Sequence, residues 1–173
     1  MRVLRSLSLL VVLACTSSST DSAMSVVRQF YAATIAQKVT GAPTSAQLAT
    51  LTPYLSDTLR ALLDAARRRN AADAARAPDE KPAFADGDLF SSLFEGPNAV
   101  DVVGDSARGD VRVATVRMTY TGATPAVTWT DHVILTTRDG HFVIDDVEYG
   151  GRWDFASKGS LRASLVAALT SPP

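Results

Sequence analysis

From Ala99 to Tyr149 apolar and polar residues alternate with period two, and turn residues interrupt the alternation at regular intervals. A strand sends successive side chains to opposite faces, so this pattern specifies a half-buried antiparallel sheet. It predicts strands over Ala99–Val103, Val111–Thr121, Ala126–Thr137 and His141–Tyr149, with turns at Gly104–Gly109, Gly122–Pro125 and Arg138-Asp139-Gly140. "RDG" between two alternating runs is a hairpin signal, because Asp and Gly tolerate the left-handed backbone that a two-residue turn needs. The result is a four-stranded meander. One of its faces must be covered by something else.

The cover comes from helical segments. Val27, Phe30, Tyr31 and Ile35 recur at helical spacing within a first helix, about Ser22 to Val39. "TGAPTS", Thr40 to Ser45, is a breaker-rich loop. A second helix is predicted from Thr52-Pro53, an N-cap followed by proline at the first position, with Leu55, Leu59, Leu62, Leu63 and Ala66 on one face. It fades before Pro78 and Pro82. A last helix, about Lys158 to Leu169, carries Leu161, Leu165 and Leu169. Helices followed by a curled antiparallel sheet make an α+β fold, and the chain shows no internal repeat.

At 173 residues, with 46% hydrophobic and 20% charged residues, the chain suits one domain with a proper core. A net charge of −1 argues against nucleic acid as a partner, since binding phosphates requires a basic surface. One cysteine and two histidines leave no material for a disulfide scaffold or a cysteine-rich metal site. No cofactor or metal is expected.

The N-terminus has its own logic. Arg2 and Arg5 precede an apolar run from Leu7 to Ala14, too short to cross a bilayer core and laid out like a secretory leader. The run ends in Val12-Leu13-Ala14-Cys15, which resembles the lipobox of bacterial lipoproteins. That resemblance implies cleavage before Cys15 and acylation of its thiol, because a thiolate attacks the lipid donor well. Several acyl chains together anchor a protein stably where one is marginal. Thr16, in place of Asp, implies transfer to the outer membrane of a diderm host, with the periplasm as the working compartment. A secreted or soluble periplasmic protein with an incidental cysteine is the alternative. The organisation expected is a leader over 1–14, a lipidated tether over 15–23 and one α+β domain over 24–170.

Three segments extend the resemblance. "VRQFYAATIA" looks like the opening helix of the nuclear-transport-factor-two-like (cystatin-like cone) superfamily, and "LTPYLSDTLRALL" like its second helix. "HVILTTRDGHFVIDDVEY" is similar to its closing hairpin. With "PAFADGDLF" these resemble, over about Val26 to Tyr149, a family of uncharacterised proteobacterial proteins, many of them predicted lipoproteins. Phe142 stands where that family usually has Trp. The resemblance implies a cone of helices packed into a bent four-stranded sheet. Members of the superfamily include isomerases and dehydratases that work in an apolar pocket with an Asp base.

The candidate pocket set here is Tyr31, Tyr120, Trp129, Asp131 and Tyr149. On the third strand Val127, Trp129, Asp131, Val133 and Leu135 share the more apolar face, which places Asp131 among apolar side chains. A carboxylate there is unfavourable unless it is bonded, and it has the setting of a general base. It is therefore either the base of an isomerase or hydratase, or a structural acid bonded to backbone or to an arginine. His132 falls on the polar face. Asp145 and Asp146, as strand neighbours, point to opposite faces and solvate the strand end. Asp86 and Asp88 read as turn and helix-cap residues before "LFSSLF". Arg60, Arg67, Arg68, Arg69 and Arg76 form a basic helix face balanced by Asp57, Asp64 and Asp73.

No catalytic residue is assigned. The sequence points to a lipid-anchored binding or accessory module. Its partners are membrane lipid through Cys15, an envelope protein or a small apolar ligand, and a second copy of the chain in a homodimer. A pocket enzyme using Asp131, or an immunity or inhibitor protein, is the alternative.

Overall fold

A computed structural model describes residues 22–171. The leader, Cys15 and most of the tether lie outside the described residues. Four helices and a four-stranded antiparallel sheet make an α+β fold: α1 (Ala23–Ala36), α2 (Ser45–Leu51), a 3-10 turn (Thr52–Tyr54), α3 (Asp57–Arg76), β1 (Ala99–Arg108), β2 (Val111–Tyr120), β3 (Val127–Arg138), β4 (His141–Glu148) and α4 (Leu161–Thr170). The sheet is the expected meander, in the order β1-β2-β3-β4.

The domain begins slightly earlier than 24. Ser22 caps α1 by accepting from the Ser25 amide, and Ala23 is already buried. Those two residues therefore belong to the fold. Val26, Val27, Phe30 and Tyr31 fill the inward face of α1, which lies against β1, β2 and β4. Phe30 meets Tyr31 and Phe90 edge-on, at ring-centre distances of 5.2 and 5.1 Å. Opposite them stand Val102, Val116, Met118, Trp129, Val133, Leu135, Ile144 and Val147 from the sheet. Each large apolar side chain buried in this way contributes about 1.5–3 kcal/mol.

Several expected boundaries move, and one helix is added. The second helix starts at Asp57, capped by Ser56, and Pro53 sits in the 3-10 turn before it. The α2 helix falls between the expected loop and the expected helix start, over residues for which no element is predicted. A capping box builds it, in which Thr44 and Gln47 satisfy each other's backbone amides. β1 runs on through Gly104 to Arg108, because a bulge between Val102 and Gly104 keeps it paired with β2 where a turn was expected. Arg28 donates to the Val102 carbonyl at that bulge, 3.2 Å away. The "RDG" turn is as expected, with Asp139 and Gly140 both left-handed (φ 52° and 80°).

A second bulge corrects the reading of Asp145 and Asp146. Ile134 faces Asp146 while Leu135 faces Ile144, which leaves Asp145 as the extra residue of β4. Neither acid serves merely to solvate a strand end. Asp145 accepts from Ser56, the cap of α3, at 2.6 Å, and pairs with Arg162 of α4. Asp146 accepts from the Arg162 amide at 2.9 Å and from the Val147 amide at 2.8 Å. Together they fasten both later helices to the sheet edge.

Residues 77–98 form a long segment without helix or strand, pushed into the core by Phe84, Phe90 and Leu93. Buried backbone polar groups need partners, and a segment with no ladder of its own takes them from side chains. Asn70 of α3 grips both the amide and the carbonyl of Phe84, at 3.0 and 2.6 Å. Tyr31 donates to the Phe90 carbonyl at 2.8 Å, and Tyr149 to the Leu89 carbonyl at 2.7 Å. The expected cap role of Asp88 is corrected here, because "LFSSLF" is not a helix. Asp88 accepts instead from the Phe90 amide two residues on, at 2.9 Å, closing a side-chain turn.

Candidate functional site

β3 turns Trp129, Asp131, Val133 and Leu135 toward the helices, as its alternation demands. Asp131 is fully buried. Its Oδ1 accepts from the Gly150 amide at 2.8 Å and from the Ser92 hydroxyl. Its Oδ2 accepts from the Ser92 amide at 2.8 Å and from the Trp129 indole Nε1 at 3.0 Å. Two carboxylate oxygens offer about four lone-pair sites, and four donors fill them. A general base needs a lone pair aimed at substrate. Asp131 has none left. Of the two readings of this residue, the geometry supports the structural one: it joins β3, the 77–98 segment and the turn after β4. Its partners are backbone, serine and indole, with no arginine among them. Ser92 extends the junction by accepting from the Gly151 amide at 2.9 Å, while its carbonyl accepts from the Ser157 amide at 2.9 Å.

Four of the five expected pocket residues meet around this junction. Trp129 bonds to Asp131, and the Tyr31 and Tyr149 hydroxyls donate into the 77–98 backbone. Burial, and then the nearby acids, hold both phenols above their ordinary titration range. For Tyr31 the leading neighbour is Asp131, and for Tyr149 it is Asp88. These hydroxyls are committed donors. Tyr120 stands apart, in a groove of about 380 Å³ with Leu93, Glu95, Ala123, Val127, Trp153 and Phe155. Phe155 is 78% exposed at its rim.

The other candidates find ordinary partners. Asp64 pairs with Arg67 and Arg68, Asp73 with Arg69 and Arg76, and Asp57 with Arg60. Asp86 pairs with exposed Lys81. Among the described residues no cluster of His, Cys, Asp and Glu is arranged to hold a metal ion, and no helix is long and apolar enough to cross a membrane.

Asp88 is the titratable group that the fold perturbs most usefully. It borders a cleft of about 320 Å³ with Tyr31, Lys38 and Glu95. Desolvation raises its pKa from 3.8 to about 6, the Asp131 charge adds to the rise, and the bond from Phe90 opposes it. A carboxyl whose folded pKa is raised favours folding fully only while it is protonated. That contribution is present below about pH 3.8 and is lost as pH climbs through about 6. Asp88→Asn keeps an oxygen for the Phe90 amide and removes the charge. We expect it to leave stability unchanged at pH 4 and to raise it by roughly 2 kcal/mol at pH 7.5. Urea titrations at the two pH values measure the difference. Equal effects at both would rule out a titrating Asp88.

Sequence reasoning did not single out Ser92, Gly150, Arg152, Trp153 or Phe155. The signal for the last four was "GGRWDF", Gly150 to Phe155, an adjacent glycine pair followed by a cation and two aromatics.

No protein-family model matches the chain, and no curated protein matches it. Among solved structures the fold is similar to the solution structure of a SEC-C motif containing protein from Rhodopseudomonas palustris. The identity is 14%, the match covers 75% of this chain and 82% of that one, and the TM-score is 0.43. At that level of likeness nothing about function passes to this chain.

Proposed function

We propose that this chain is a lipid-anchored binding module of a bacterial cell envelope, built on a nuclear-transport-factor-two-like cone and held at the periplasmic face of the outer membrane. The observation that carries the reading is Cys15, placed after a short apolar run behind two arginines and only a few residues before the cap of α1 at Ser22. Saturation of Asp131 supports binding over catalysis, since it removes the one acid that the strand pattern puts in position to act as a base. The groove between Tyr120, Trp153 and Phe155 supports a small ligand with an apolar part, because its lining is mostly apolar and aromatic and Phe155 stays exposed beside it.

The test is detergent phase partitioning of the protein expressed with its leader. The wild type is expected in the detergent phase. Cys15→Ala, which removes the only thiol, is expected in the aqueous phase or retained as uncleaved precursor. Processed wild type and variant appearing alike in the aqueous phase would defeat the anchoring claim.

A further inference from the structure

Among the described residues two buried side-chain polar atoms have no hydrogen-bond partner, His132 Nδ1 and Trp153 Nε1. Both side chains line the same groove of about 480 Å³, together with Thr128, Trp129, Thr130, Gly150 and Arg152. Buried polar atoms are nearly always paired, so two orphans in one groove mark a place where a partner is missing. Arg152 is exposed and makes no salt bridge or side-chain hydrogen bond with any described residue, although most arginines of this chain are paired. No carboxylate lines the groove. Glu148 lies beside His132 at the strand end, but its carboxylate is taken by Arg108, at 2.6 and 3.1 Å. The remaining polar groups of the lining are the two threonine hydroxyls, which donate or accept as required.

The groups on offer are therefore an indole N–H, a guanidinium, an imidazole nitrogen that donates when it carries the proton, and two hydroxyls, of which that of Thr128 already meets Thr119 at 3.4 Å. Such a set suits an acceptor-rich anionic group, which a guanidinium can hold through two parallel bonds. Trp153 also lines the neighbouring groove, which is apolar apart from Glu95 and is shared with Tyr120, Val127 and Phe155. One ring thus forms the wall between a cationic, donor-rich space and an apolar, aromatic one. We propose that the two grooves form a single site for a small amphiphilic anion. Its carboxylate or phosphate lies against Arg152, Trp153 Nε1 and His132, and its hydrocarbon or aromatic body lies along Trp153 toward Phe155. This deepens the binding-module reading and rests on it. The two fail separately, because anchoring is read from the partitioning of Cys15→Ala and the ligand from a spectrum of the folded domain.

The chain has two tryptophans, and the fold gives their indole N–H groups different fates. Trp129 Nε1 is bound to Asp131, and Trp153 Nε1 is free. The experiment is a ¹H–¹⁵N correlation spectrum of residues 15–173 produced without the leader, which keeps every element of the fold. It is titrated at one pH with octanoate, octyl phosphate or octanol. Octanoate and octyl phosphate are expected to move the Trp153 indole resonance downfield and saturably, while the Trp129 resonance moves far less. Arg152→Gln, at an exposed position, is expected to keep the spectrum of the fold and weaken both anions by about tenfold, the worth of one charge-assisted contact. The proposal fails if octanol shifts Trp153 as strongly as octanoate, if Arg152→Gln binds like wild type, or if no probe moves the Trp153 resonance.

Discussion

Replacing Asp131 with alanine is expected to destabilise the domain by about 4 kcal/mol, among the largest losses that any single side-chain truncation here can produce. The reason lies in what remains after the carboxylate is gone. The Ser92 amide, the Ser92 hydroxyl, the Gly150 amide and the Trp129 indole are left facing a void at a fully buried position. A buried donor without an acceptor costs roughly 1–3 kcal/mol, and local relaxation recovers only part of the total. Asp131→Asn keeps the shape but points an NH₂ group at donors, so it should lose about 2 kcal/mol and fall between alanine and wild type. Thermal melts of the three proteins check the order. For a domain of this size the alanine variant should melt roughly 10 °C lower. If Asp131→Ala loses less than about 1 kcal/mol, the junction does not hold the three segments together, and the question of what Asp131 does reopens.

That residue also shows what was legible in advance. Alternation along β3 placed Asp131 on the inner face beside Trp129, since a strand's period leaves no other choice once Val133 and Leu135 point inward. The hairpin at Asp139-Gly140, the meander order and the apolar faces of α1 and α3 follow from equally local rules. The partners of Asp131 do not. Ser92 is 39 positions away and Gly150 is 19, on segments with no periodicity, and only the closed fold brings them together. Bulges defeat local reading for a related reason. Gly104 looks like a turn because glycine commonly is one, and only pairing with Thr115 shows that the strand continues past it. The same holds for Asp145, whose extra place in β4 lets it turn toward Ser56 and Arg162. The isolated signature "LFSSLF" carries helix-compatible residues, yet its Ser92 amide is spent on Asp131 and its backbone carbonyls accept from tyrosines that α1 and the end of β4 supply. Tertiary demand overrides propensity most easily in a segment this short.

Gly150→Ala should be nearly as damaging, through contact alone. Gly150 lies directly against β3, so a Cβ there would run into the Thr130 carbonyl oxygen and come within 3.7 Å of Asp131 Oδ1. Both neighbours are fixed: Thr130 is paired with Arg117 in the sheet, and Asp131 is bonded on every side. The added methyl can be accommodated only if the chain after β4 backs away, and that breaks the bond from the Gly150 amide. The expected loss is about 3 kcal/mol, combining overpacking with a desolvated carboxylate oxygen left short of a donor. The displacement should also carry Arg152 and Trp153 away from Thr128, Thr130 and His132, since all of them line the same groove with Gly150. Two readouts therefore move together in this variant: a lower melting temperature, and loss of the octanoate-dependent shift of the Trp153 indole resonance at a temperature where the domain is still folded. Asp131→Asn supplies the contrast, because it weakens the junction from the β3 side with Gly150 unchanged and should keep more of the ligand response than of the stability. A Gly150→Ala protein as stable as wild type would mean that the chain following β4 is not seated on β3, and the groove built from that contact would not exist.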